Sequence, residues 1–209
     1  MSKGMQLLSN PNILMNKSYQ IDGGGQFAAT LVPSPHGMAN SKEISNANAQ
    51  CSVDFTNTAG IDFVRVNPKP LKAHRYLPYE QNGLTYLTLD AGARLFLTGP
   101  INGCHIFVTQ GPAGGVTVMH VNWNQIATNT PAGVIANRNQ KFLLANNLRT
   151  AMGAPAFSNV LVYQPEPLVV DYHSYLGFAV GRKKTHAAPW EFFVYGIGGL
   201  GAPRILRQF

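Results

Sequence analysis

The feature that most constrains this chain is a recurring pattern of short β-branched and aromatic runs cut by Gly, Pro and Asn. Cys51, Val53 and Phe55 alternate up to Asn57-Thr58-Ala59-Gly60, after which Ile61, Phe63-Val64 and Val66 resume. Leu84 to Leu89 and Ala93 to Thr98 flank Asp90-Ala91-Gly92, and Cys104 to Gln110 and Val116 to Val121 flank Gly111-Pro112-Ala113-Gly114-Gly115. Two-residue alternation bounded by turn formers is the mark of hairpins. Further strands are expected at Gln26 to Val32, Asn159 to Tyr163, Leu168 to Tyr172, Tyr175 to Val180 and Trp190 to Ile197.

One segment is helical in pattern. From Asn137 to Met152, Phe142, Leu144, Ala145, Leu148 and Met152 fall largely on one stripe, with an Asn to cap the start and Gly153 and Pro155 to end it. Residues 33 to 49 are polar and turn-rich, and Asn67 to Asn82, with three prolines and Lys69, Lys72, His74 and Arg75, reads as an exposed basic loop. Met1 to Gln20 reads as a loosely packed arm. Gly23-Gly24-Gly25 lacks the spacing of a dinucleotide site and reads as a turn. A chain of 209 residues fits one domain, 1–209, able to bury a core without staples. The expected fold is α+β, predominantly β: a single-domain antiparallel β-sandwich with one principal helix and long loops. With only 12% charged residues, 21 Gly and 14 Pro, composition disfavours a helical bundle.

The third hairpin carries chemistry. Folded about Pro112, it pairs residues whose numbers sum to 224, which sets Cys104 opposite His120, or diagonal to it if the turn is longer. Cys104, Ile106 and Val108 share a face with Val116, Val118 and His120, while His105, Phe107, Thr109, Thr117, Met119 and Val121 take the other. A thiol and an imidazole at the open end of a hairpin can form a nucleophile and base. The same residues also suit a buried structural cysteine and a core histidine.

Thr98, five residues, Gly103-Cys104, a strand, a Gly-rich turn and a histidine on the next strand together resemble the active-site pattern of the cysteine glutamine deamidases. This family includes the cytotoxic necrotizing factor catalytic domain, the Burkholderia lethal factor and the chemotaxis receptor glutamine deamidase. In the last two a threonine lies six positions before the nucleophile, as Thr98 lies six before Cys104. The toxins carry Leu-Ser-Gly-Cys where this chain has Ile101-Asn102-Gly103-Cys104. The resemblance covers about 23 residues. It implies a toxin- or effector-like protein glutamine deamidase with Cys104 as nucleophile, His120 as base and Thr98 orienting the imidazole. Oxyanion contacts are expected from backbone amides of Cys104 and the Ile101 to Gly103 loop, with Asn102 and Gly103 positioning the substrate.

A cysteine protease or a transglutaminase would use the same pair, and a basic β-sandwich interaction module would need neither residue. No cofactor and no metal is expected: no two histidines have zinc-site spacing, and no GxSxG elbow occurs. Lys and Arg outnumber Asp and Glu by 16 to 9, for a net charge of +7, which points to a target protein with an acidic surface. The loop from Lys69 to Arg75 and the Arg182-Lys183-Lys184 cluster are the expected contacts. Nucleic acid is a minor reading, since no RNA-binding or zinc-finger signature occurs. A single Cys51–Cys104 bridge is open on sequence grounds and would abolish the nucleophile. With no membrane span and no signal-peptide core, the chain is expected to be soluble and, as a toxin or effector, exported without a cleaved secretory signal to act in the target-cell cytoplasm.

Overall fold

The computed structural model describes residue 6 and residues 19–101, 103–111, 115–123, 130–162, 176–197 and 204–208. The described residues are mostly strand, arranged in three sheets with one main helix. The strands are β1 (Tyr19–Asp22), β2 (Val32–Pro33), β3 (Ser41–Glu43), β4 (Cys51–Thr58), β5 (Ile61–Pro68), β6 (His74–Leu77), β7 (Gly83–Leu89), β8 (Leu95–Thr98), β9 (His105–Gln110), β10 (Val116–Asn122), β11 (Asn159–Val162), β12 (Leu176–Arg182), β13 (Glu191–Ile197) and β14 (Arg204–Gln208). The helices are α1 (Gly25–Ala28) and α2 (Pro131–Ala151). Sheet order is β1-β5-β4 in the first, β11-β9-β10-β7-β3-β2 in the second and β14-β13-β12-β8-β6 in the third. All three are mixed in direction: β1 with β5, β3 with β7 and β6 with β8 run parallel, and the other pairs are antiparallel.

The six-stranded sheet separates two cores, as the alternation in β9 and β10 requires. Ile106, Val108 and Val118 face Tyr76, Leu97, Phe178 and Tyr195 of the five-stranded sheet, together with Val53 and Val64 of the three-stranded one. Phe107, Met119 and Val121 face Ala145 and Leu148 of α2 on the other side. The helix, the six-stranded sheet and the remaining sheets therefore stack as layers.

Several sequence expectations need correction. Gln26 to Val32 is not a strand: Gly23 at φ +91° turns the chain into α1, where Phe27 is buried, and only Val32–Pro33 extends. The polar stretch 33 to 49 contains β3, and Ser41, Ile44 and Ala49 are buried within it. The basic segment after Asn67 is not an exposed loop throughout, because β6 inserts beside β8 with all four residues buried. Arg75 is affordable there since Asp90 accepts two bonds from its guanidinium at 2.9 and 3.1 Å and Asn46 a third at 3.2 Å. Helix α2 begins six residues before Asn137: Thr130 is its N-cap, accepting from the Gly133 amide at 3.1 Å, and Pro131 fills the first helical position. The arm before residue 19, apart from Gln6, and the expected strand Leu168 to Tyr172 lie outside the described residues.

Candidate active site

The hairpin β9–β10 sets the thiol of Cys104 and the imidazole of His120. Its register pairs His120 with Ile106 and Val121 with His105, so paired numbers sum to 226 and the connection is longer than a turn centred on Pro112. Gly111 donates to the Gly115 carbonyl at 2.8 Å to close it, and residues 112–114 lie outside the described residues. Cys104 is thus the diagonal neighbour of His120 on the same face, a separation of roughly 7–8 Å between backbones that long side chains span. Cys104 and His120 are both buried, at 2% and 0% exposure.

Thr98 comes from the other sheet. At the end of β8 its hydroxyl donates to the Leu77 carbonyl of β6 at 2.7 Å and lies 2.7 Å from His120 Nδ1. A carbonyl only accepts, so the single hydroxyl proton is committed to Leu77, and the imidazole must supply the proton on Nδ1. The neutral tautomer left to His120 carries its lone pair on Nε2. That atom is buried and has no hydrogen-bond partner among the described residues. Burial pushes the His120 imidazole down to about 3, with the charge of Lys141 acting in the same direction. The ring is therefore a neutral proton acceptor at physiological pH. The Tyr79 ring, 41% exposed, lies over it with centroids 5.9 Å apart.

The loop before Cys104 is built around glycine. Gly103 has φ +70°, a left-handed conformation that residues with a Cβ adopt only with strain, and it turns the chain into β9 at Cys104. Ile101 donates its amide to the Gly177 carbonyl at 2.6 Å, which withdraws one of the oxyanion donors expected from this loop. Asn102 lies outside the described residues.

Helix α2 contributes a residue that sequence reasoning passes over. Gly133, Asn137, Lys141, Ala145 and Leu148 form its buried stripe, and Lys141, 4% exposed, donates from Nζ to the Gly103 carbonyl at 2.5 Å. Burial lowers the Lys141 pKa, and the negative charge that Cys104 can carry opposes the shift. The signal was present in the stripe itself, since Lys141 stands four residues before Ala145 and seven before Leu148 on the apolar face. His105, on the opposite face as expected, packs against Phe107 and Phe142, and the backbone at Gly103 and Cys104 partly offsets the burial that lowers its pKa.

Cys104 opens onto a cleft of about 920 Å³, walled by Gly23, Gly24, Tyr76, Tyr79, Gly99 and Asn122. Gly24 must lack a side chain here because a Cβ would come within 2.3 Å of the Tyr76 hydroxyl, which itself donates to the Gly99 carbonyl at 2.7 Å. The turn Gly23-Gly24-Gly25 is thus part of the cleft wall. Cys51 is fully buried and not joined to Cys104, so the open bridge does not form; burial, opposed by Arg75, pushes its thiol up to about 12.

The expected docking cluster is only partly available. Arg182 is buried, donates to Glu191 at 2.8 Å and lies over the Phe193 ring, so it serves the fold and not a partner. Lys184 is exposed and also pairs with Glu191, while Lys69 and Lys72 are exposed beside β6. Among the described residues no helix is long and apolar enough to cross a membrane, and no three His, Cys, Asp or Glu side chains cluster as metal ligands. No protein-family profile matches the chain and no curated protein matches it in sequence.

Proposed function

We propose that the chain is a protein glutamine deamidase, a hydrolase of side-chain amides working through a Cys104 thioester. The observation that carries this reading is the pair of 2.7 Å contacts at the Thr98 hydroxyl, which orient His120 with its Nε2 lone pair on the Cys104 face of the hairpin. The Nε2 so oriented is buried with no hydrogen-bond partner among the described residues, which leaves its lone pair to accept a proton.

In this mechanism the Cys104 sulfur attacks the carboxamide carbon of a glutamine entering the cleft, and its proton passes to His120 Nε2. The developing oxyanion is met by backbone amides at Gly103 and Cys104. His120 returns the proton to the departing nitrogen, which leaves as ammonia, and then takes a proton from water as it attacks the thioester, giving glutamate and the free thiol. The target is a protein whose acidic surface complements the net charge of +7, approached through the exposed Lys69 and Lys72.

Intact-mass and peptide analysis of acidic target proteins, incubated with the wild type and with Cys104→Ser, tests the proposal. The expected product has an uncut backbone, one glutamine converted to glutamate, and an equivalent of ammonia released only by the wild type. A cut backbone would mean a protease, and incorporation of an added amine a transglutaminase. Stable binding by both proteins without covalent change would mean an interaction module.

A further inference from the structure

A lysine on the buried face of a helix costs desolvation unless something is gained from its charge. Lys141 stands between Asn137 and Ala145 on the α2 stripe, on the helical layer, yet its ammonium reaches the end of β9 and bonds the carbonyl of Gly103, the residue before Cys104. Gly103 C=O and Cys104 N–H belong to one peptide group, so a cation on the oxygen draws electrons from the nitrogen and makes its N–H a stronger donor. The same ammonium acts electrostatically on Cys104.

We propose that Lys141 is a positioning residue of the Cys104 centre: it fixes the Gly103 turn, polarises the Cys104 amide, and supplies the positive charge that favours the thiolate. The same charge makes His120 harder to protonate, so on this reading the thiolate is balanced without an imidazolium. In many Cys/His centres the imidazolium balances the thiolate; here burial keeps His120 uncharged, and the balancing cation comes from the helix instead. The proposal rests on Cys104 being the nucleophile of the reading above, but its test measures thiol chemistry alone and is indifferent to the natural substrate.

The pH dependence of Cys104 alkylation by iodoacetamide is compared in wild type, Lys141→Met, Lys141→Gln and Lys141→Arg, with Cys104→Ser defining the background. Lys141→Met and Lys141→Gln should each move the profile about one unit to higher pH and slow alkylation near neutrality about tenfold. Lys141→Arg should stay near wild type. A folded Lys141→Met with an unmoved profile overturns the proposal. A second measurement needs no variant: the ratio of iodoacetate to iodoacetamide rates at Cys104 should exceed that of a cysteine in an unstructured peptide, because a local cation attracts the anionic reagent. A ratio at or below the peptide value overturns it equally, whether or not the neutral variants fold.

Discussion

The Thr98 hydroxyl gives its one proton to the Leu77 carbonyl and takes the Nδ1 proton of His120, at 2.7 Å in each case. Thr98 belongs to the five-stranded sheet and His120 to the six-stranded sheet, so one hydroxyl fixes the tautomer of His120 and bridges the two sheets.

Thr98→Val keeps the shape and removes the hydroxyl. It leaves the imidazole N–H and the Leu77 carbonyl unsatisfied, at a cost of about 1–3 kcal/mol, and frees the ring to change tautomer. Nitrogen-15 NMR should find the Nδ1–H form in the wild type and a mixture in Thr98→Val. Turnover should fall more than the melting temperature explains, and Thr98→Ser should recover most of it.

Acid should destabilise the fold in a defined window. His120 and His105 are both held near 3 by burial, well below the ordinary 6.5, with Lys141 adding to each and Arg138 to His105. Between those values the unfolded chain binds protons that the folded chain refuses, so stability is complete above 6.5 and falls as pH drops toward 3. Denaturant titrations at several pH values should reveal this slope. His105→Phe removes one of the two groups that resist protonation and should reduce the slope by up to one proton.

Gly103→Ala should cost about 1–2 kcal/mol through the left-handed backbone and reduce kcat out of proportion to that loss, since it displaces the amides beside the sulfur. Thermal melts with parallel kinetics check both parts. Equal small losses in the two would mean that the turn has no catalytic consequence.

The two basic regions should separate by behaviour. Arg182→Glu sets a carboxylate at a buried position beside Glu191 and removes the guanidinium from the Phe193 ring, so the variant should melt below wild type. The double variant Lys69→Glu, Lys72→Glu touches only exposed charges. It should melt normally and slow reaction with an acidic protein target chiefly in kcat/KM, most at low salt. Unchanged kcat/KM at low ionic strength would assign docking to another surface.

What is legible in the sequence is what alternation encodes. The hairpins β4–β5 and β9–β10 and the division of β9 and β10 into two faces follow from side-chain parity, and the same parity puts Cys104 and His120 together. Register depends on a connection whose length the pattern does not fix, and the two-unit difference in paired sums made a diagonal pair of an opposed one. Strand β6 is hidden because its buried His74 and Arg75 look like surface until Asp90 and Asn46, distant in the chain, satisfy the guanidinium. Lys141 is hidden for a similar reason: its partner is a backbone carbonyl, which carries no side-chain identity for a sequence to display.

Because Cys104 and His120 lie on one hairpin while Thr98 stands in the facing sheet, the Thr98–His120 contact reports on sheet closure. Parting of the layers would release Nδ1, so the imidazole would no longer be held in one tautomer. On the deamidase reading proposed above, activity would therefore depend on the two sheets being docked.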